Sequence, residues 1–311
     1  MSDYIVMDLE WNQASVKAKE QKGIMFEILE IGAVKVRRTD KGYEIVDTFS
    51  SYVRPQVYKR MHNMTKKIVH FDFKKLMNEE SFCQVIERFL DWCGEDYSFC
   101  IWGTSDISVL QSNLLYYSMD PISDGPCLYY DVQKLFSIRY EDTKSRRSLQ
   151  AAADMLDIKA KGEFHDALSD AYYTAEIFIR TADEHIIKYH SYDNFYLPEN
   201  KSKEIHVKFP GYSKYISRVF KNKHRAMNDK EVSSLTCNIC DCRLNRLIKW
   251  FSYNGGKFYL AIGLCPEHGY IKAKARMKKA PGDEVYVVKT VRPITEDEYE
   301  HYKKRFENKK D

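Results

Sequence analysis

Residues 4–10 read Tyr-Ile-Val-Met-Asp-Leu-Glu, an apolar run that ends in two acids. Asp8 and Glu10 are two apart, so in an extended strand both carboxylates leave the same face. An acid inside a buried strand costs stability unless something pairs with it, which marks this end of the strand as a place where chemistry is done. Downstream, residues 26–37 (Phe-Glu-Ile-Leu-Glu-Ile-Gly-Ala-Val-Lys-Val-Arg) and Tyr43 to Val53 are β-rich and separated by the turn Thr39-Asp-Lys-Gly42. The three segments predict antiparallel neighbours.

The pattern then changes. Ser81 reads as the N-cap of a helix reaching Cys93, with Phe82, Val85, Ile86, Phe89 and Leu90 on one face. A strand at Ser98 to Gly103, a helix from Asp106, a strand at Leu128 to Asp131 and helices near 132–136, 149–156 and 166–188 follow. Strands first, then alternating helix and strand, predict an α/β fold with a mixed sheet flanked by helices. Residues 189–204 mix aromatics with turn formers and have no period, so the organisation expected is a catalytic domain at 1–190, a connecting segment at 191–235 and a small β-rich domain at 236–311.

Three further residues join the first acidic pair. Asp106 follows the apolar Phe99-Cys-Ile-Trp-Gly-Thr-Ser, and His165 lies five residues before Asp170 at the start of a helix. Taken singly, Asp106 reads equally as a helix-start acid and His165 as a surface residue. Four carboxylates brought together repel one another unless divalent cations neutralise them, and hard oxygen ligands select Mg²⁺ or Mn²⁺. Two such ions can activate an attacking water and stabilise a leaving oxygen, while His165 is of the residue type that most often serves as a general base.

On these motifs residues 1 to about 190 resemble the DEDD exonuclease superfamily of the type with histidine in its third motif, and most closely the branch that contains histone-mRNA-type and KapD-like exonucleases. The matching residues are Asp8 and Glu10, Asp106, and His165 with Asp170. The resemblance implies a ribonuclease H-like fold and 3′→5′ hydrolysis releasing nucleoside 5′-monophosphates. It also implies that Asp8, Glu10 and Asp170 hold one ion, Asp8 and Asp106 the region of a second, and that His165 is the base. His62-Asn-Met-Thr65 is similar to the family's substrate-side loop, with Asn63 where Gly is usual. Trp11 and Asn12 stand beside the first motif, where they could contact the terminal nucleotide, with Trp11 or Met64 on its base; core packing is the competing reading of Trp11.

Cys237-Asn-Ile-Cys240 and Cys265-Pro-Glu-His268 flank a hairpin pattern, the layout of a zinc ribbon, and predict one structural Zn²⁺ on Cys237, Cys240, Cys265 and His268. Cys242 is a spare thiol or a substitute for Cys240. After His268, Lys272, Lys274, Arg276 and Lys278 alternate with small or apolar residues, so on a strand they line one face, either as a phosphate-binding stripe or as a solvated edge.

Charge supports a polyanionic partner. Residues 201–311 hold 25 Lys and Arg against 13 Asp and Glu, a net of +12, although the whole chain carries only +4. No apolar stretch approaches the roughly 18 residues of a membrane span and no basic leader opens the chain, so a cytoplasmic protein without a membrane partner is expected. Cys83, Cys93, Cys100 and Cys127 lie singly in apolar runs, as reduced core cysteines do. The function expected is hydrolysis of single-stranded nucleic acid, RNA before DNA. A non-catalytic zinc-finger nucleic-acid-binding protein on an exonuclease scaffold is the alternative, and it is disfavoured because no carboxylate of the set is missing.

Overall fold

The structure is a computed structural model that describes residues 3–63, 65–68, 72–141, 146–159, 162, 164–253 and 256–307. The chain divides into two units, Met1–Tyr196 and Leu197–Asp311.

In the first unit, β1 (Asp3–Gln13), α1 (Val16–Lys22), β2 (Phe26–Thr39) and β3 (Gly42–Tyr52) are followed by the single turn α2 (Thr65–Ile68) and by α3 (Phe82–Cys93). Then come β4 (Tyr97–Ile101), α4 (Asp106–Tyr116), β5 (Cys127–Asp131), α5 (Val132–Tyr140), α6 (Leu149–Met155), α7 (Ala167–Thr181) and β6 (Ser191–Asp193). The sheet order is β3-β2-β1-β4-β5-β6, with β1–β4 and β4–β5 parallel and the other pairs antiparallel. This is the expected mixed α/β sheet of a ribonuclease H-like fold.

Strand parity builds the core. Ile5, Met7 and Leu9 enter the cluster formed with α3 and α4, whereas Val6 enters the one formed with α5 and α7. Asp8 and Glu10 share the parity of Val6 and so belong to the face that α7 covers. On β2, Val34 and Val36 face the same way, and Gly32 and Glu30 continue their row as the partners of Asp8 and Glu10.

Two boundaries differ from the sequence expectation. The last helix ends at Thr181 rather than near Lys188, because Asp183 Oδ1 accepts from the His185 and Ile186 N–H groups and starts a separate 3₁₀ turn. The segment expected to connect the domains is structured: residues 191–193 pair with β5, the first unit runs on to Tyr196, and the remainder belongs to the second unit.

The second unit is an antiparallel sheet, β7 (Ile205–Phe209), β8 (Tyr212–Ile216), β9 (Asn245–Tyr253), β10 (Phe258–Cys265), β11 (Gly269–Lys279) and β12 (Val285–Pro293), in the order β7-β8-β12-β11-β10-β9. It therefore starts well before residue 236. The short helices α8 (Lys223–Asn228) and α9 (Lys230–Ser233) contribute Ala226 and Val232 to a cluster with Ala275 and Val287 on one face. The terminal helix α10 (Glu296–Glu307) packs Tyr299, Tyr302 and Phe306 against Ile248, Leu260 and Ile262 on the other. No helix among the described residues is long and apolar enough to cross a membrane.

Candidate active site

β1, α4 and α7 bring the sequence-predicted acids together. The Leu9 N–H, between Asp8 and Glu10, donates to Asp106 Oδ1 at 3.2 Å, which fastens the start of α4 to the end of the central strand. Asp106 is the first residue of that helix, where the helix dipole favours a carboxylate. Glu10, His165 and Asp170 place a ligand atom each within 4.8 Å of one another. His165 has φ +70, a left-handed turn that lets its own N–H donate to Asp170 Oδ2 at 3.2 Å.

Electrostatics and hydrogen bonding both leave the cluster short of positive charge. Burial, then Asp106, Asp170 and Glu10, push the Asp8 carboxyl well above its ordinary range. Glu10 rises to about 8 through burial and then the charges of Asp170 and Glu30. Burial, with Asp170 adding to it, takes Asp106 to about 7, and burial takes Asp170 to about 6 although His165 opposes the rise. Asp170 is buried and its Oδ1 has no hydrogen-bond partner among the described residues. An orphaned carboxylate oxygen among mutually repelling acids is the environment that a hard cation completes, so these residues fit divalent ions.

These side chains line a cleft of about 300 Å³ together with Trp11, Gln13, Thr65, Trp102 and Ser105. Thr65 belongs to the His62–Thr65 loop, whereas Gln13, Trp102 and Ser105 were not singled out from the sequence; nothing local separates them from ordinary strand-end and loop residues. Trp11 is half-buried with its ring 5.6 Å from Phe26, so it meets both the core and the cleft. Glu30, also missed, is 2% exposed, accepts from the Ala167 N–H at 3.4 Å and is raised to about 7 by burial. Its signal was available, since it lies two residues before Gly32 on the Asp8 and Glu10 face.

Asn12 is corrected. It is 1% exposed, its Oδ1 accepts from the His62 N–H at 2.9 Å and its Nδ2 donates to the Arg60 carbonyl at 3.1 Å. It clamps the loop to β1 and does not line the cleft. His62 itself is half-buried beside this clamp, and Met64 lies outside the described residues.

In the second unit, Cys237, Cys240, Cys265 and His268 form the expected cluster, with one ligand atom each within 4.8 Å. Cys240 Sγ is 3.7 Å from Cys265 Sγ, and His268 Nδ1 lies 3.4 Å from Cys265 Sγ and 3.7 Å from Cys237 Sγ. A tetrahedral ion with Zn–S about 2.3 Å and Zn–N about 2.0 Å sets its sulfurs about 3.8 Å apart and sulfur from nitrogen about 3.5 Å. The residues present fit such an ion. Cys242 Sγ lies 3.6 Å from Cys265 Sγ, beside the four-residue group rather than in it.

The predicted basic stripe is altered. Lys272 is 8% exposed, donates to Tyr302 Oη at 3.1 Å and sits 3.6 Å from Glu298, so α10 covers it. Lys274 is half-buried and Arg276 exposed on the same face.

Comparison with known proteins agrees with the first unit. A "Probable 3'-5' exonuclease KapD" of Bacillus subtilis is 26% identical over 178 residues, which are 56% of this chain and 82% of that protein. The "DNA polymerase III PolC-type" of Caldanaerobacter subterraneus is 27% identical over 182 residues, 58% of this chain but only 12% of the polymerase. A "3'-5' exoribonuclease 1" of Rattus norvegicus is 23% identical over 189 residues, 57% of this chain and 52% of that protein. The exonuclease (RNase T) family matches residues 5–178, more than half of the sequence and the span that holds all five acid and histidine positions, and the chain belongs to that family.

Proposed function

We propose that the protein is a 3′→5′ exonuclease that shortens single-stranded nucleic acid, RNA in preference to DNA, and releases nucleoside 5′-monophosphates. The observation that carries the reading is the gathering of Glu10, His165 and a buried Asp170, whose Oδ1 has no hydrogen-bond partner among the described residues, in a cleft that also holds Asp8 and Asp106. Asp8, Glu10, Asp106 and Asp170 would hold two Mg²⁺ or Mn²⁺ ions. Bound there, the ions supply charge neutralisation and a lowered pKa for the attacking water.

His165 accepts the proton of that water, with its turn fixed by the N–H bond to Asp170. Trp11, on the cleft wall, stacks on the terminal base. Cys237, Cys240, Cys265 and His268 carry one structural Zn²⁺, and Lys274 and Arg276 contact the substrate strand. The eight unbridged cysteines suit the reducing cytoplasm. The preference for RNA rests on the similarity to exoribonuclease 1, whose name describes RNA as its substrate.

The test is digestion of 5′-labelled single-stranded RNA and matched DNA with Mg²⁺, Mn²⁺ or a chelator, with Asp170→Ala as control. A metal-dependent ladder shortening from the 3′ end, stronger on RNA and absent in the variant, is expected. Intact substrate under every condition, with a gel shift retained, would replace the enzyme by the nucleic-acid-binding scaffold.

A further inference from the structure

On the face of the second sheet that carries α10, the part beyond that helix holds an unneutralised cluster of cations drawn from two non-adjacent strands. Direct strand partners share a face, so the pairs Lys214–Thr290–Lys274 and Ile216–Val288–Arg276 run across β8, β12 and β11 on one side of the sheet. Lys278, opposite Tyr286, continues the β11 row. Those rows contain no acidic residue, and among the described residues no carboxylate pairs with Lys214, Lys274, Arg276 or Lys278. By contrast Lys272, one step along β11, is tied to Glu298 and Tyr302.

Two observations show that the cluster is poised for an anion. Burial, and then the charge of Lys278, lowers the Lys214 ammonium below its ordinary pKa, while burial followed by Arg276 and Lys272 lowers that of Lys274. Partly desolvated like charges gain more from a phosphate than hydrated surface lysines do. The same face also offers rings: Lys274 Nζ lies 4.2 Å from the Phe258 centroid, Lys278 Nζ 6.0 Å from that of Tyr286, and Phe258 stacks on Tyr253 at 5.3 Å.

We propose that this face, built from Lys214, Lys274, Arg276 and Lys278, binds the phosphate backbone of single-stranded nucleic acid with residues of the second unit, none of which lines the catalytic cleft. Cations at alternate β11 positions stand about 6.6–6.8 Å apart, a spacing that suits successive phosphates of an extended strand. Ring faces beside cations favour a nucleic acid over an acidic peptide. Among the described residues, the strand rows that carry the four cations hold no Asn, Gln or acid to read base edges, so binding is independent of sequence. The proposal rests on the exonuclease reading only for the choice of polyanion.

The experiment measures affinity for labelled oligouridylate and oligothymidylate between about 50 and 200 mM salt, using the full chain with zinc retained and Asp170→Asn in every arm to stop hydrolysis. Replacing Lys214, Lys274 and Lys278 by Gln together should make the slope of log affinity against log salt shallower by about 2, at about 0.7 per lost phosphate contact on a single strand. Arg276→Gln alone, at an exposed position that does not threaten folding, should lower it by about 0.7. Unchanged slopes in both variants would overturn the proposal, as would equal binding of polyglutamate and oligouridylate. Failure of the wild-type chain to shorten RNA with Mg²⁺, alongside the expected slope change, would sink the exonuclease reading and leave this site standing.

Discussion

A Cβ built on Gly32 would lie 2.1 Å from the Ala167 carbonyl carbon. β2 therefore passes directly beneath the first turn of α7, and this contact sets where Asp170 stands relative to Asp8, the strand partner of Gly32. Any side chain at 32 must move α7. Gly32→Ala is expected to lose about 1–3 kcal/mol or more, the scale of overpacking, and most of the nuclease activity. Thermal unfolding and RNA shortening measured on the same preparation check this; wild-type values in both would show that α7 is not held by this contact.

The acid cluster predicts an unusual pH response. Glu10, Glu30 and Asp170 are raised to about 8, about 7 and about 6 from ordinary values of 4.5, 4.5 and 3.8. Between the ordinary and the raised values the folded chain holds protons that the unfolded chain has released, so raising pH across that window favours unfolding. Without divalent ions the Tm of the first unit should fall from about pH 4.5 towards about pH 8, and Mn²⁺ should restore it most at the high end. Asp170→Asn should flatten the metal-free slope. A metal-free Tm that rises with pH over this window would mean that the acids do not interact as described.

Asn12 makes a separable prediction, because its two loop bonds join β1 to the loop at Arg60 and His62. Asn12→Ala leaves the Arg60 carbonyl and His62 N–H without their partner and should cost about 1–3 kcal/mol. Trypsin should then cut after Arg60 faster than in wild type. Cleavage at the wild-type rate would show that the loop is held without the clamp.

The parts of the site legible in the sequence are those fixed by local periodicity. Strand parity put Asp8 and Glu10 on one face, and the spacing of His165 and Asp170 across a helix start brought both to its first turn. What sequence could not supply were pairings between distant residues. Lys272 reads like Lys274 until α10 brings Glu298 and Tyr302 over it. Glu27 reads like Glu30, yet its carboxylate accepts from the Gln56, Val57 and Tyr58 N–H groups and holds a loop. The strands β7 and β8 read in sequence as a connecting segment because five-residue strands rich in Lys, His and Tyr gain their burial only from β12.

The cysteine cluster allows a test that needs no nucleic acid. Cys237 and Cys265 are 0% and 1% exposed, and no disulfide satisfies them. With an ion bound, the chain that carries Cys237 is fastened to the end of β10, a junction worth roughly 10–16 kcal/mol in small zinc modules. About one zinc per chain should copurify, and a strong chelator should lower the Tm of the second unit while leaving that of the first in place. Cys265→Ser should reproduce the loss without chelator. Cys242→Ser should retain the zinc, because the Cys242 thiol stands beside the four-residue group; loss of zinc in that variant would make Cys242 a ligand and displace Cys240. A chelated protein with unchanged unfolding in both units would remove the metal from the account of this fold.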